Sequence, residues 1–156
     1  MTIGGPMTEI LFYQLNGQKL EQVLPPLLQR SLERGWRVVV QASSDDRVEA
    51  LDAHLWTWRD DTFLPHGTWR EAEAAEQPVL LTVNGENPNG ATVRFLVDGA
   101  AVPSDAAAYQ RLVLLFDGDD PEALETARTN WAEAKNGGFD VTYWRTDENG
   151  RWQRQA

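Results

Sequence analysis

The chain has 156 residues, 42% of them hydrophobic, with a formal net charge of −10 and no cysteine. That is enough to bury the core of one domain and tight for two, and it excludes disulfides, thiolate metal sites and cysteine nucleophiles, which suits a reducing, cytoplasmic compartment. No apolar run approaches the ~18 residues of a membrane span, no basic-then-apolar leader is visible, and the acidic balance excludes a surface that grips nucleic acid all over, so a DNA role needs a local basic patch or a go-between.

Residues 1–6 have no periodicity and contain Gly4, Gly5 and Pro6, which predicts a disordered extension or an alternative start before Met7. Ile10 to Tyr13 reads as a short buried strand. Leu20, Val23, Leu24, Leu27, Leu28 and Leu32 then recur at helical spacing as far as Gly35, with Pro25 and Pro26 predicting either a kink or the true start of the helix. Trp36 to Val40 reads as a second strand, and Ser43-Ser44-Asp45-Asp46 supplies caps for a helix carrying Val48, Leu51 and Leu55 on one face. After a loop rich in Trp, Asp, Pro and Gly come β segments at 79–83, 92–97 and 112–116. Asp119 or Asp120 then caps a helix that begins at Pro121-Glu122 and stops at Asn136-Gly137-Gly138, before a last strand over 139–144 and a polar, Arg-containing tail over 146–156. Strands alternating with helices predict a single α/β domain over 7–145, with parallel strands joined by crossover helices.

The chemistry expected of such a sheet is missing. The loop after the first strand, Gln14-Leu15-Asn16-Gly17-Gln18, has neither phosphate-cradling glycine pattern, and no G-x-S-x-G elbow exists. His54 and His66 are the two histidines and have no obvious third ligand beside them, so no metal or cofactor is expected and each reads as structural. Asp117, Asp119 and Asp120 follow an apolar strand. Their alternative reading is a Mg²⁺-dependent, phosphatase-like centre built on Asp117 and Asp119, against the simpler one of an N-cap with helix-dipole acids.

On the last helix Ala123, Ala127, Asn130 and Ala134 form a small-residue stripe suited to lying on the sheet, beside a stripe of Leu124, Arg128, Trp131 and Lys135. Two cations beside an indole suit an acidic peptide with an apolar anchor, while the alternative makes Trp131 core and leaves both cations solvated. Trp56, Trp58, Phe63, Pro65 and Trp69 make an unusually aromatic helix end and loop, either an anchor patch or a satellite core.

In order and spacing, Leu11-Phe12-Tyr13, Gly35 to Val40, Leu51 to Trp56, Phe63-Leu64-Pro65-His66-Gly67, Asn87 to Ala91, Ala127 to Trp131 and Gly138-Phe139 together resemble the chi subunit of the bacterial DNA polymerase III holoenzyme. The L-D-x-x-L-W segment followed by F-x-P-H is the most specific part. The resemblance implies a Rossmann-like three-layer fold, with a mostly parallel sheet and flanking helices but no nucleotide-binding loop. It implies a non-catalytic replication adaptor, cytoplasmic and at the nucleoid through the replisome, that contacts DNA mainly indirectly. It further implies that Arg128, Trp131 and Lys135, beside Leu124, bind the acidic C-terminal tail of single-stranded-DNA-binding protein. A second surface at Trp56 and Phe63, with Pro65 and His66, would meet a psi-like clamp-loader component or a helicase-related partner. Where family members carry further basic residues on this helix, the chain has Leu124, Asn130 and Ala134, and Arg145, Arg151 and Arg154 of the tail are candidates to replace that charge.

Overall fold

The segments Val38-Val39-Val40, Val79-Leu80-Leu81 and Leu112 to Leu115 are apolar at every position rather than at every second one, the pattern of strands covered on both faces. A computed structural model describes residues 8–58 and 64–156; the expectation for residues 1–6 and the candidate Phe63 lie outside them. The strands are β1 (Glu9–Leu15), β2 (Val38–Gln41), β3 (Gly67–Thr68), β4 (Val79–Thr82), β5 (Val93–Leu96), β6 (Arg111–Asp117), β7 (Asp140–Thr146) and β8 (Trp152–Arg154). The helices are α1 (Leu20–Glu33), α2 (Asp45–Thr57) and α3 (Pro121–Asn136). The strands form one sheet in the order β3-β4-β2-β5-β6-β1-β7-β8. Every neighbouring pair is parallel except β7 and β8.

Parallel neighbours require crossovers, and these divide the helices between the two faces. Leu24 and Leu28 of α1 and Val48, Leu51 and Leu55 of α2 share one core with Val38, Val40, Val93 and Phe95. Ala127 and Ala134 of α3 pack with Ile10, Phe12, Leu112 and Leu114 on the other side. The three-layer α/β arrangement expected from the sequence is therefore the one observed. The small-residue stripe does lie on the sheet, with Ala127 and Ala134 buried.

Pro25 and Pro26 neither start nor split α1, which runs unbroken through both. Pro25 cannot donate to the carbonyl of Glu21 four residues back, and that orphaned acceptor is met from another element, since His54 Nε2 of α2 lies 2.7 Å from Glu21 O. His54 thus has the structural role expected of it.

Helix α3 does not reach the β2–β4 half of its face. There Val39 and Leu80 are closed over by Ala91 and Ala74 from the flanking loops. The segment between β4 and β5 is pinned by side-chain amides. Asn87 brackets Ala91 with two 2.8 Å hydrogen bonds, and the buried Asn89 donates to Val38 O and Gln77 O. The left-handed turn at Gly90, with φ +68°, makes that tight reversal possible.

Beneath this segment, in the middle of β5, Arg94 is fully buried. Its Nε and Nη2 donate to Gln41 Oε1 at 3.0 and 2.7 Å, and Nη1 to Glu86 O at 3.1 Å and to the Tyr109 hydroxyl at 2.9 Å. Nη2 also donates to Asn84 O. All five donors are placed, none on a carboxylate.

The elements depart from the sequence expectation at their margins. Trp36 and Arg37 precede β2 rather than forming part of it. The two-residue β3 carries too little pattern to be seen, and the polar segment over 146–156, expected only as a tail, supplies β8.

Two stability measurements follow. Arg94→Met should destabilise the chain by about 3 kcal/mol in urea denaturation, because the buried Tyr109 hydroxyl and three partly buried acceptors, Gln41 Oε1, Asn84 O and Glu86 O, lose their donors at once. His54→Ala should cost about 1–2 kcal/mol by leaving the Glu21 carbonyl without a donor, while His54→Ala in a Pro25→Ala background should cost less, since the helix can then satisfy that carbonyl itself.

Candidate functional site

The 3.6-residue period of α3 turns Ala127 and Ala134 into the sheet and sets Trp131 between them at its edge. Trp131 is half-buried. Its ring meets Phe12 and Tyr143 edge-on, with centroids 5.5 and 5.8 Å away. Lys135 Nζ sits 5.3 Å from the Trp131 ring centroid, within cation–π range. Arg128 and Lys135 are exposed, and Leu124 is half-buried one turn before Arg128.

Two residues that spacing on the helix could not reveal complete this surface. Tyr143 of β7 is brought under Trp131 by the parallel pairing that sets Phe12 opposite Tyr143. Its hydroxyl donates to Gln14 Oε1. Burial pushes the Tyr143 phenol above its ordinary pKa, while Arg145 and then Arg128 pull it back, and Arg145, two residues on along β7, shares the Tyr143 face of the strand. Of the three tail arginines considered as replacement charges, Arg145 is the one at this surface. Arg154 pairs across from Trp144 and so shares the opposite face, and Arg151 lies in the β7–β8 turn. The result is a half-buried aromatic pair, Trp131 and Tyr143, packed over the fully buried Phe12 and accompanied by three exposed cations. It offers forked and point-charge donors to carboxylates and a partly desolvated wall to an apolar side chain.

The second set of candidates lies at the end of α2. Trp56 is 57% exposed, the one large hydrophobic side chain among the described residues to be so open. His66 lies beneath it, ring centroids 4.8 Å apart, and is itself buried. Its Nδ1 is 2.7 Å from Leu64 O and its Nε2 3.1 Å from Asp52 Oδ1, so His66 ties the loop to α2 and supports Trp56. Pro65 is half-buried between them in sequence.

The carboxyl ends of β1, β5 and β6, where helices leave for opposite faces, form a crevice of about 840 Å³, the place where open α/β sheets bind ligands. Six acidic residues line it, among them Asp117, Asp119 and Asp120. Asp120 Oδ1 caps α3 by accepting from Glu122 N at 3.0 Å, and Asp117 Oδ1 accepts from Asp119 N at 2.9 Å. Among the described residues no three metal-ligating side chains come together, and capping of α3 accounts for the position of Asp120.

The chain matches the family DNA polymerase III chi subunit, HolC, over residues 7–142. It belongs to that family. A curated relative, "Probable DNA polymerase III subunit chi" of Rickettsia prowazekii (strain Madrid E), is 22% identical over 121 residues, covering 71% of each chain. Chi-family membership makes the chain an accessory subunit of replication. The α3–β7 strip belongs to a chi-family fold whose described helices are none of them long and apolar enough to cross a membrane.

Trp131 should carry part of the stability of the chi-family domain as well as its surface. Trp131→Ala is expected to lower unfolding free energy by about 2–3 kcal/mol by thermal or urea denaturation, and Lys135→Ala by less than about 0.5 kcal/mol, since Lys135 is exposed.

Proposed function

We propose that the chain is a non-catalytic adaptor of the replicase that binds the acidic C-terminal tail of single-stranded-DNA-binding protein on the α3–β7 surface. The observation that carries this reading is the half-buried Trp131 with Arg128, Lys135 and Arg145 about it, a cationic strip on a chain of net charge −10. Aspartates of the tail pair with Arg128 and Arg145, and its terminal apolar residue lies against Trp131 and Tyr143. Binding of micromolar strength, about −8 kcal/mol, suffices for tethering, because a tethered partner is held at high effective concentration. The exposed Trp56, with the His66 ring against it, is a separate anchor for a psi-like clamp-loader component or a helicase-related partner, and Phe63 and Pro65 belong with it in this reading. The adaptor works in the cytoplasm, at the nucleoid, and meets DNA mainly through its partners.

Calorimetric titration with a synthetic copy of that tail tests the assignment. Saturable binding is expected, and a peptide lacking the final apolar residues should fail to bind. Arg128→Ala should weaken binding by about 1.5–3 kcal/mol, whereas Trp56→Ala should leave it unchanged. An affinity unaltered by Arg128→Ala would remove the α3–β7 surface from the reading.

A further inference from the structure

A second concentration of cations lies at the other end of the sheet and on its other face. Tyr13, Arg30, Arg34 and Arg111 line one cleft; burial raises the Tyr13 pKa, and the three arginines pull it back. The indole of Trp36 lies between two of them, its ring centroid 5.0 Å from Arg34 Cζ and 5.0 Å from Arg111 Cζ. These side chains line a cleft of about 80 Å³ with Ser31 at its wall. Glu9 is the single carboxylate that bears on the phenol, and its 2.8 Å ion pair engages Arg111 alone. Arg30 and Arg34 are exposed and have no ion pair among the described residues. In a chain with 24 acidic and 14 basic residues, three like charges sharing one acid repel one another unless an anion lies among them.

The cleft opens beside aromatic rings. Tyr13 stacks on Trp152 of β8, centroids 4.5 Å apart, and meets Trp144 of β7 edge-on at 6.2 Å. Helix α1 packs on β2 and α2, and α3 lies on the opposite face, which leaves the Trp144–Trp152 side of β7 and β8 without a helix over it. Guanidinium forks fit phosphate oxygens two at a time, and flat rings on an open sheet accept unstacked bases, the pairing by which sheets hold single strands. A duplex keeps its bases stacked and has no use for the rings.

We propose that the Arg30–Arg34–Arg111 cleft and the adjoining Tyr13–Trp152 strip bind the phosphate backbone of single-stranded nucleic acid, at a site separate from the acidic-peptide surface on α3. The cleft holds one phosphate between the guanidiniums, and the neighbouring nucleotides run over Trp152 and Trp144. The chain's net negative charge opposes this contact at long range, so the binding is weak and sensitive to salt.

The test is fluorescence anisotropy of a labelled oligothymidylate of about 20 nucleotides with the full chain at low salt, read alongside intrinsic tryptophan quenching. Saturable binding with quenching is expected, and log K should fall with log salt at a slope of about −0.7, as one neutralised phosphate on a single strand requires. The Arg30→Gln/Arg34→Gln variant should bind about tenfold more weakly with an unchanged Tm, since both side chains are exposed. Arg128→Ala should bind the oligonucleotide like the parent, which separates this site from the peptide surface whether or not that surface proves correct. The proposal is overturned by an absence of saturable binding at low salt, or by a double variant that binds as well as the parent. Polyglutamate that competes and quenches equally would assign the cleft to an acidic peptide, and an equal affinity for duplex would leave only non-specific attraction.

Discussion

A guanidinium without a carboxylate partner holds the centre of this sheet. Three helices cannot cover two faces of eight strands, and the region left bare over β2 and β4 is closed by a loop rather than by a helix. A loop over a core brings polar backbone with it, and those carbonyls need donors. Arg94 supplies them, meeting the carbonyls of Asn84 and Glu86 together with Gln41 and Tyr109. The buried charge is held by dipoles alone, which is tolerable only because all of its donors are engaged. With that half of the face closed, α3 is free to lie over β1 and β7, where its edge forms the α3–β7 surface.

The chain segregates its charge along the strand axis. Carboxylates crowd the crevice at the strands' carboxyl ends, where related architectures hold phosphates, and Arg47 there is engaged by Glu21 and Asp98 at 2.9 and 2.7 Å. Polyanions are repelled from that end, so the fold keeps the shape of a nucleotide site without its electrostatics. Away from that end, Lys135 of α3 lies against Trp131, and Arg34 at the end of α1 lies against Trp36. Screening over about 8 Å at physiological salt lets such local patches act against an opposing net charge.

Most of the element order was legible because the apolar residues keep their periods: continuous in β2, β4 and β6, and three-to-four spaced in the helices. The capping chemistry at Ser44 and Asp120 was legible as well, since both side chains accept from the backbone as expected. What the sequence could not carry was adjacency across strands. Tyr143 meets Trp131 only because β7 pairs with β1, and nothing local in Asp140 to Thr146 announces that register. Arg94 is one polar residue within an apolar strand, and its partners come from the β2 end, the β4–β5 loop and the segment before β6. The answer to Pro25 was equally hidden, because the donor that meets Glu21 O comes from 33 residues away.

The last strand bears on how the chain keeps to itself. β8 is three residues long, yet it covers the outer hydrogen-bonding row of β7, and the chain continues past it to pair Gln155 N with Tyr143 O at 2.7 Å and Tyr143 N with Ala156 O at 3.1 Å. At the far end the sheet finishes in the two-residue β3. Both rims are thus too short to template a foreign strand, whereas β7 is seven residues long and would not be. Losing the final few residues would expose that longer row of amides and carbonyls and turn a closed margin into a seed for chain-to-chain association.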